Sequence, residues 1–243
     1  MEQISKVITV EEHFMSEKVN GEYQKLLEKK NLTLAQKAKA NFIQQFVAKG
    51  EITEVGEKRL EFMETHGIDC QILSYGNNSP SYLDPKQAVV LCQMANEELA
   101  GYCKQYPGNF YGFAVLPVGD TGAALTELER AVKTLGLKGI IFNGAYQESY
   151  FDEDRFFPIF EMAQELKVPV MLHPGEVPTE VAKTYYQGSW PVAVANVFAG
   201  HGIGWHYDAW VQYMRMILSG IFDRLPNCLL YTSPSPRDRQ KSR

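Results

Sequence analysis

Val168-Pro169-Val170-Met171-Leu172-His173-Pro174-Gly175 is a short apolar run that ends in a histidine and is turned outward by Pro-Gly. A Val-rich run of this length, bounded by breakers, predicts a strand buried on both faces. Upstream, Asp154 to Leu166 reads as a helix, with acidic residues in its first turn as the helix dipole favours. Before that helix, Lys138 to Asn143 reads as another strand, and Gly144 opens it into a loop. Strand, helix, strand in this order is a βαβ unit, and repeated units predict an α/β protein with a parallel sheet.

The same alternation extends both ways. Phe110 to Leu116 reads as strand three, followed by a helix over about Gly122 to Leu135. A helix from Pro85 to about Tyr106 is stopped by Pro107-Gly108-Asn109. Strand two is expected at Ile68 to Ser74, after a helix over Lys58 to Thr65 that ends in His66-Gly67. Strand one is expected at Lys6 to Glu12, with a polar helical insertion over about 17–65 before strand two. On the other side, a long loop with Gly200, Gly202 and Gly204 leads to a helix over about Tyr207 to Phe222, and a sixth strand should begin near Asn227. The 243 residues suit one large core, since β/α barrels run to about 250 residues. Five complete strands and the start of a sixth, against about eight in a closed barrel, predict an incomplete one.

Composition excludes several classes. The net charge of −5 carries no basic stripe, so neither nucleic acid nor an anionic membrane is an expected partner. No apolar run reaches the roughly 18 residues of a membrane span. Met1-Glu2-Gln3 opens no basic-then-apolar leader, and Cys70, Cys92, Cys103 and Cys228 show no close metal or redox spacing. They read as reduced thiols in a cytoplasmic protein.

Chemistry concentrates at strand ends. Glu11 and His13 are two residues apart, so on an alternating strand they point one way and Glu12 the other. A carboxylate and an imidazole that converge make a half-site for Zn²⁺ or Mn²⁺; the plainer reading is a surface acidic cluster with an incidental histidine. His173 ends its strand like His13; alone it reads equally as a ligand or as a core histidine held by a backbone carbonyl, while beside Glu11 and His13 ligation is favoured. Asn143 either binds substrate or caps a loop. His66 reads as a helix-end residue, and His201 and His206 as members of a solvated loop. Gly200 to Gly204 lacks the Lys-Ser/Thr of a phosphate loop, and no Gly-x-Ser-x-Gly supports a serine hydrolase.

Several segments together resemble the amidohydrolase-related superfamily, in the branch of aminocarboxymuconate-semialdehyde, dihydroxybenzoate, resorcylate and orsellinate-type decarboxylases. They are Val10-Glu11-Glu12-His13-Phe14, Arg59 to Met63 with Gly67-Ile68-Asp69, Phe110 to Ala114 with Leu116-Pro117, and Gly136 to Gly139 with Asn143-Gly144. Tyr150, Asp152, Phe157 to Glu161, Val168 to Pro174 and Ser219 to Asn227 extend the likeness. The resemblance implies a TIM-type (β/α)8 barrel of the metal-dependent hydrolase type, and Glu11, His13 and His173 as ligands of a divalent metal, Zn or Mn. It implies non-oxidative decarboxylation of a small aromatic or unsaturated carboxylic acid by the parent enzyme, with this truncated chain expected to be inactive. The alternatives are a metal-dependent hydrolase of lactones, esters or C–C bonds, and a non-catalytic truncated fragment. Homo-dimers or homo-tetramers are common among such relatives. Because neutral imidazoles are needed, metal binding should weaken in acid.

After Asn227 the sequence departs from the family. The expected Gly-His-Met/Leu-Gly-Glu motif and a late Asp, which supply the active-site histidine and the last ligand, are absent, so the catalytic residues stay unassigned. The Ser-, Pro- and Arg-rich run from Cys228 to Arg243 resembles translated sequencing adaptor; the alternative is a natural disordered tail. On this reading 1–227 is a partial barrel, 228–243 is a non-native or disordered tail, and an unclosed sheet would leave apolar edges exposed and the chain prone to aggregate.

Overall fold

The computed structural model describes residues 6–28, 50, 52–76 and 79–232. The chain forms two compact units that meet between Gly139 and Ile140.

In the first unit, strands β1 (Ile8–Phe14), β2 (Cys70–Tyr75) and β3 (Phe110–Ala114) pair in parallel in that order. Helices α1 (Glu17–Glu28) and α2 (Glu57–Thr65) lie between β1 and β2 in sequence. The middle of the expected insertion falls outside the described residues. Helix α3 (Pro85–Gln105) starts as its sequence promises: the Asp84 carboxylate accepts from Lys86 N at 3.2 Å, and Pro85 takes the first turn, where no N–H is needed. Helix α4 (Thr121–Lys133) is capped likewise by Asp120, which accepts from Ala123 N at 3.0 Å. Gly112 lets α3 lie close on the sheet, because a Cβ there would come within 2.7 Å of the Leu99 side chain.

Asn96 of α3 locks that packing. Its side-chain oxygen accepts from Val115 N at 3.0 Å and its amide donates to Val115 O at 2.9 Å, closing the backbone groups just past β3. The same amide donates to Glu127 of α4 at 2.7 Å.

In the second unit, β4 (Gly139–Asn143), β5 (Val170–His173) and β6 (Leu230–Thr232) are again parallel and consecutive. A 3₁₀ turn, Asp154–Phe156, precedes α5 (Phe157–Glu165), so the helix predicted from Asp154 begins as a tighter turn. Phe142 stacks on Phe151 at 4.2 Å between ring centres, and Phe156 meets Phe151 edge-on, which builds this unit's core from aromatics.

Two expectations change here. The loop read before the last long helix carries short helical stretches at Thr179–Val181, Ala182–Tyr186, Val192–Val197 and Phe198–Gly202. The helix read as Tyr207 to Phe222 is α6 (Gly204–Leu218), then α7 (Ile221–Arg224), with Gly220 at φ +72° between them. A left-handed glycine ends a helix, so the break follows from Ser219-Gly220 itself. The sixth strand starts at Leu230 rather than near Asn227, and the tail from 233 onward lies outside the described residues.

Candidate functional site

Strand β1 is not a plain alternating strand. Thr9 pairs with Gln71 and His13 with Ser74, but the register slips by one residue between Thr9 and Glu12. Val10 and Glu11 therefore stand opposite Ile72 alone, which is a β-bulge. Straight alternation from Thr9 would put His13 on the Gln71 face. The bulge moves it to the opposite face, beside Ser74, because one extra residue inverts every side chain beyond it. The alternation that pairs Glu11 with His13 takes no account of this insertion, and Glu11 is itself one of the two bulge residues.

From Glu12 onward the pairing is regular. His13 Nδ1 and Ser74 Oγ are 3.1 Å apart, and Ser74 Oγ donates to the Glu12 carbonyl at 3.4 Å. Arg59 of α2 holds the strand end: its guanidinium donates to the His13 carbonyl at 2.9 Å and to Gln71 Oε1 at 3.4 Å. Burial pulls the Arg59 guanidinium below its usual value, against the support of the Glu12 and Glu54 carboxylates. Glu11, Glu12 and His13 line a cavity of about 1210 Å³ together with Arg59, Gln71 and Tyr102.

In the second unit, Asn143 and His173 are register partners at the ends of β4 and β5, so two of the predicted residues are cross-strand neighbours. His173 is 8% exposed, and its Nδ1–H donates to the Pro174 carbonyl at 2.6 Å. Burial holds its pKa down at about 4, with the Pro174 bond opposing and the charge of His206 assisting. The imidazole is therefore neutral at pH 7, with the lone pair on Nε2. The two strand ends approach closely: Gly144 sits at φ +76°, and a Cβ there would lie 2.7 Å from Gly175 Cα and 3.2 Å from Glu176 N. Gly144→Ala combines left-handed strain with a backbone clash and is expected to cost about 3 kcal/mol. In a chain of this size that lowers Tm by roughly 6–12 °C, measurable by thermal denaturation followed by circular dichroism.

Sequence reasoning took up Tyr150 and Asp152 only as part of a likeness and missed the polar group they form with α6. Tyr150 donates to Asp208 Oδ1 at 2.6 Å, and Arg215 forks onto Asp152 at 2.9 Å through both nitrogens. Asp208 and Gln212 are buried one turn apart on α6, while Tyr207, Trp210, Val211, Ile217 and Leu218 of the same helix are exposed. Asp208 Oδ2 and both polar atoms of Gln212 have no hydrogen-bond partner among the described residues. The apolar stripe of α6 faces outward here, the reverse of the usual amphipathic arrangement. The Gly204, Asp208, Gln212, Met216 spacing of four was the available signal. His201 and His206 are exposed, but they lie in the helical stretch Phe198–Gly202 and in α6 rather than in the loop expected for them, and His66 closes α2 through Phe62 O at 2.8 Å.

Among the described residues, no three or more His, Cys, Asp or Glu side chains are grouped to hold a metal ion. The donor chemistry nevertheless suits a divalent metal. The first unit offers a carboxylate and an imidazole two residues apart. The second offers a buried imidazole whose Nδ1 is committed to a carbonyl, the outer-shell bond that metal-ligating histidines make.

Parallel strands joined by helices, with polar groups at strand ends, define an α/β chain of the TIM type, incomplete in strand number. Residues 47–231 match the amidohydrolase family model, and the chain belongs to that family. It is 33% identical over 178 residues to the decarboxylase orsB of Emericella nidulans, covering 72% of this chain and 52% of that protein. It is 32% identical over 184 residues to gamma-resorcylate decarboxylase of Rhizobium radiobacter, covering 72% and 54%. Its fold matches 5-carboxyvanillate decarboxylase from Novosphingobium aromaticivorans, solved with manganese and 4-hydroxy-3-methoxy-5-nitrobenzoic acid, with a TM-score of 0.83 at 26% identity over 95% of this chain and 65% of that one. The chain thus spans about half the length of the curated relatives it matches.

Proposed function

We propose that this chain carries part of the active site of a metal-dependent, non-oxidative decarboxylase of small hydroxylated aromatic carboxylic acids. Its relatives named above are decarboxylases, and the structural neighbour was solved with manganese and an aromatic acid. The observation that carries the reading is the neutral, buried His173 at the end of β5, oriented through Nδ1, in such a chain. Glu11, His13 and His173 are the ligands on this reading, and Zn²⁺ and Mn²⁺ both suit their oxygen and nitrogen donors. When bound, the metal would hold the substrate's carboxylate and neighbouring oxygen and draw charge from them.

The chain's own residues have simpler tasks. Asn143, beside His173, hydrogen-bonds the substrate and fixes its orientation. The Pro174 carbonyl keeps His173 in one tautomer, and burial keeps it unprotonated. Arg59 holds the His13 backbone in place. The four cysteines are free thiols and no helix among the described residues is long and apolar enough to cross a membrane, which suits a cytoplasmic location.

The test is carbon dioxide release from 2,6-dihydroxybenzoate and 5-carboxyvanillate by the full-length protein, stripped with chelator and then reloaded with Zn²⁺ or Mn²⁺, with the 243-residue chain, expected to be inactive, assayed beside it. Turnover is expected only after reloading, with His13→Ala and His173→Ala each losing at least ~100-fold, the upper end for disturbed metal sites. Undiminished turnover in stripped protein would remove the metal from the reading. No turnover by the full-length protein on any such acid would remove the decarboxylase.

A further inference from the structure

We propose that Ser74 is a positioning residue that selects the tautomer of His13 and aims its Nε2 as a metal donor; this rests on the reading of His13 as a ligand. Ser74 is 1% exposed on β2 and stands in register with His13 across the parallel ladder, on the face to which the bulge turns the histidine. A serine hydroxyl has one proton to give. Ser74 Oγ gives it to the Glu12 carbonyl, at 3.4 Å. The 3.1 Å contact with His13 Nδ1 is then one in which the ring N–H donates and the hydroxyl oxygen accepts. The proton lies on Nδ1 and the lone pair on Nε2.

Burial gives this arrangement its force. A hydroxyl in contact with water turns to whichever partner is nearest, whereas a buried one keeps the orientation set by its acceptor. The chain of bonds runs from the Glu12 carbonyl through Ser74 to the imidazole, so the backbone of β1 dictates the protonation of its own next residue. Arg59, donating to the His13 carbonyl at 2.9 Å, fixes the same residue from the other side. His173 obtains the equivalent bond from the Pro174 carbonyl at 2.6 Å. Each imidazole thus has Nδ1 committed to an oxygen, one through a side chain and the other through the main chain.

The experiment uses the whole chain labelled with ¹⁵N-histidine. Long-range proton–nitrogen NMR on metal-free protein reads the tautomer of each ring, and His13→Gln assigns the signal. Native protein is expected to show His13 with its proton on Nδ1. Ser74→Ala should move it toward the Nε2–H form and weaken Mn²⁺ affinity, measured by calorimetric titration, by ~10–100-fold. Ser74→Thr keeps the hydroxyl on a strand-compatible side chain and should restore both readouts. A native Nε2–H tautomer, or a Ser74→Ala protein with unchanged tautomer and affinity, overturns the proposal. If Ser74→Ala shifts the tautomer but native and His13→Gln proteins bind Mn²⁺ equally, the ligand reading itself has failed and the positioning role falls with it.

Discussion

Arg130→Met should lower stability by about 2–3 kcal/mol: Glu127 is buried and left short of donors, while Arg130 itself is partly exposed, which keeps the loss below that of a fully buried ion pair. Glu127 is 1% exposed, and its carboxylate accepts from Arg130 Nε at 2.8 Å, from Arg130 Nη2 at 2.8 Å and from Asn96 at 2.7 Å. Arg130 also donates to Glu97 at 3.0 Å, and the bonds to Glu127 raise its already high pKa. Without the guanidinium, the Glu127 carboxylate stays buried with a single amide donor. A buried carboxylate that has lost its cation costs free energy. The effect spreads, because Asn96 also closes both backbone groups of Val115 beyond β3. The double variant Glu127→Leu with Arg130→Met should recover most of the loss, since removing both charges avoids leaving one unpaired. Urea denaturation of the native, single and double variants measures this. A single variant within about 1 kcal/mol of native would show that water reaches Glu127.

Much of the architecture was legible because local signals agreed with the final packing. Asp84-Pro85 and Asp120 announce their helices, and the breakers at Pro107-Gly108 and Gly144 end theirs and open the loop. Strand positions were read correctly, with ends shifted by a few residues, because short runs of β-branched and aromatic residues bounded by breakers mark strands. The β1 bulge was not legible. It depends on how β2 pairs with β1, a non-local fact with no signature in Val10-Glu11-Glu12. Its consequence for the site is large, since it decides which face His13 occupies. Ser74 was invisible for the same reason: one serine in Gln71-Ile72-Leu73-Ser74 has no meaning until register puts it beside a histidine. The buried face of α6 was not read at all: hydropathy favours Trp210 and Val211 for burial, and nothing in sequence announces that Asp208 has Tyr150 as a donor. Asn143 and His173 came out as neighbours because both end strands that follow one another in a βαβ unit, where chain order and spatial order coincide.

His173 should make the metal-free chain lose stability in mild acid. Its folded pKa is about 4, set first by burial, while an unfolded histidine titrates near 6.5. Above about pH 6.5 the ring is neutral in both states and adds no pH dependence. Between roughly 6.5 and 4 the unfolded chain binds a proton that the folded chain refuses, so the unfolded state gains and stability falls as pH falls. Each pH unit costs about 1.4 kcal/mol, so about 2 kcal/mol is lost by pH 5 and about 3 kcal/mol by pH 4, where the slope from this group ends. His173→Gln keeps a hydrogen-bonding side chain but cannot titrate. It should therefore differ from the native protein by an amount that changes by about 2 kcal/mol between pH 7 and pH 5, in the presence of chelator. Denaturation curves at the two pH values measure it. Asp208 works in the opposite sense, since burial raises its pKa against the Tyr150 bond and makes its charged form a cost that grows as pH rises. The two buried groups of this unit thus favour different pH ranges, and Asp208→Asn beside His173→Gln separates them. A native pH dependence that survives His173→Gln unchanged would mean the ring already has a solvent path, and that burial does not hold it neutral.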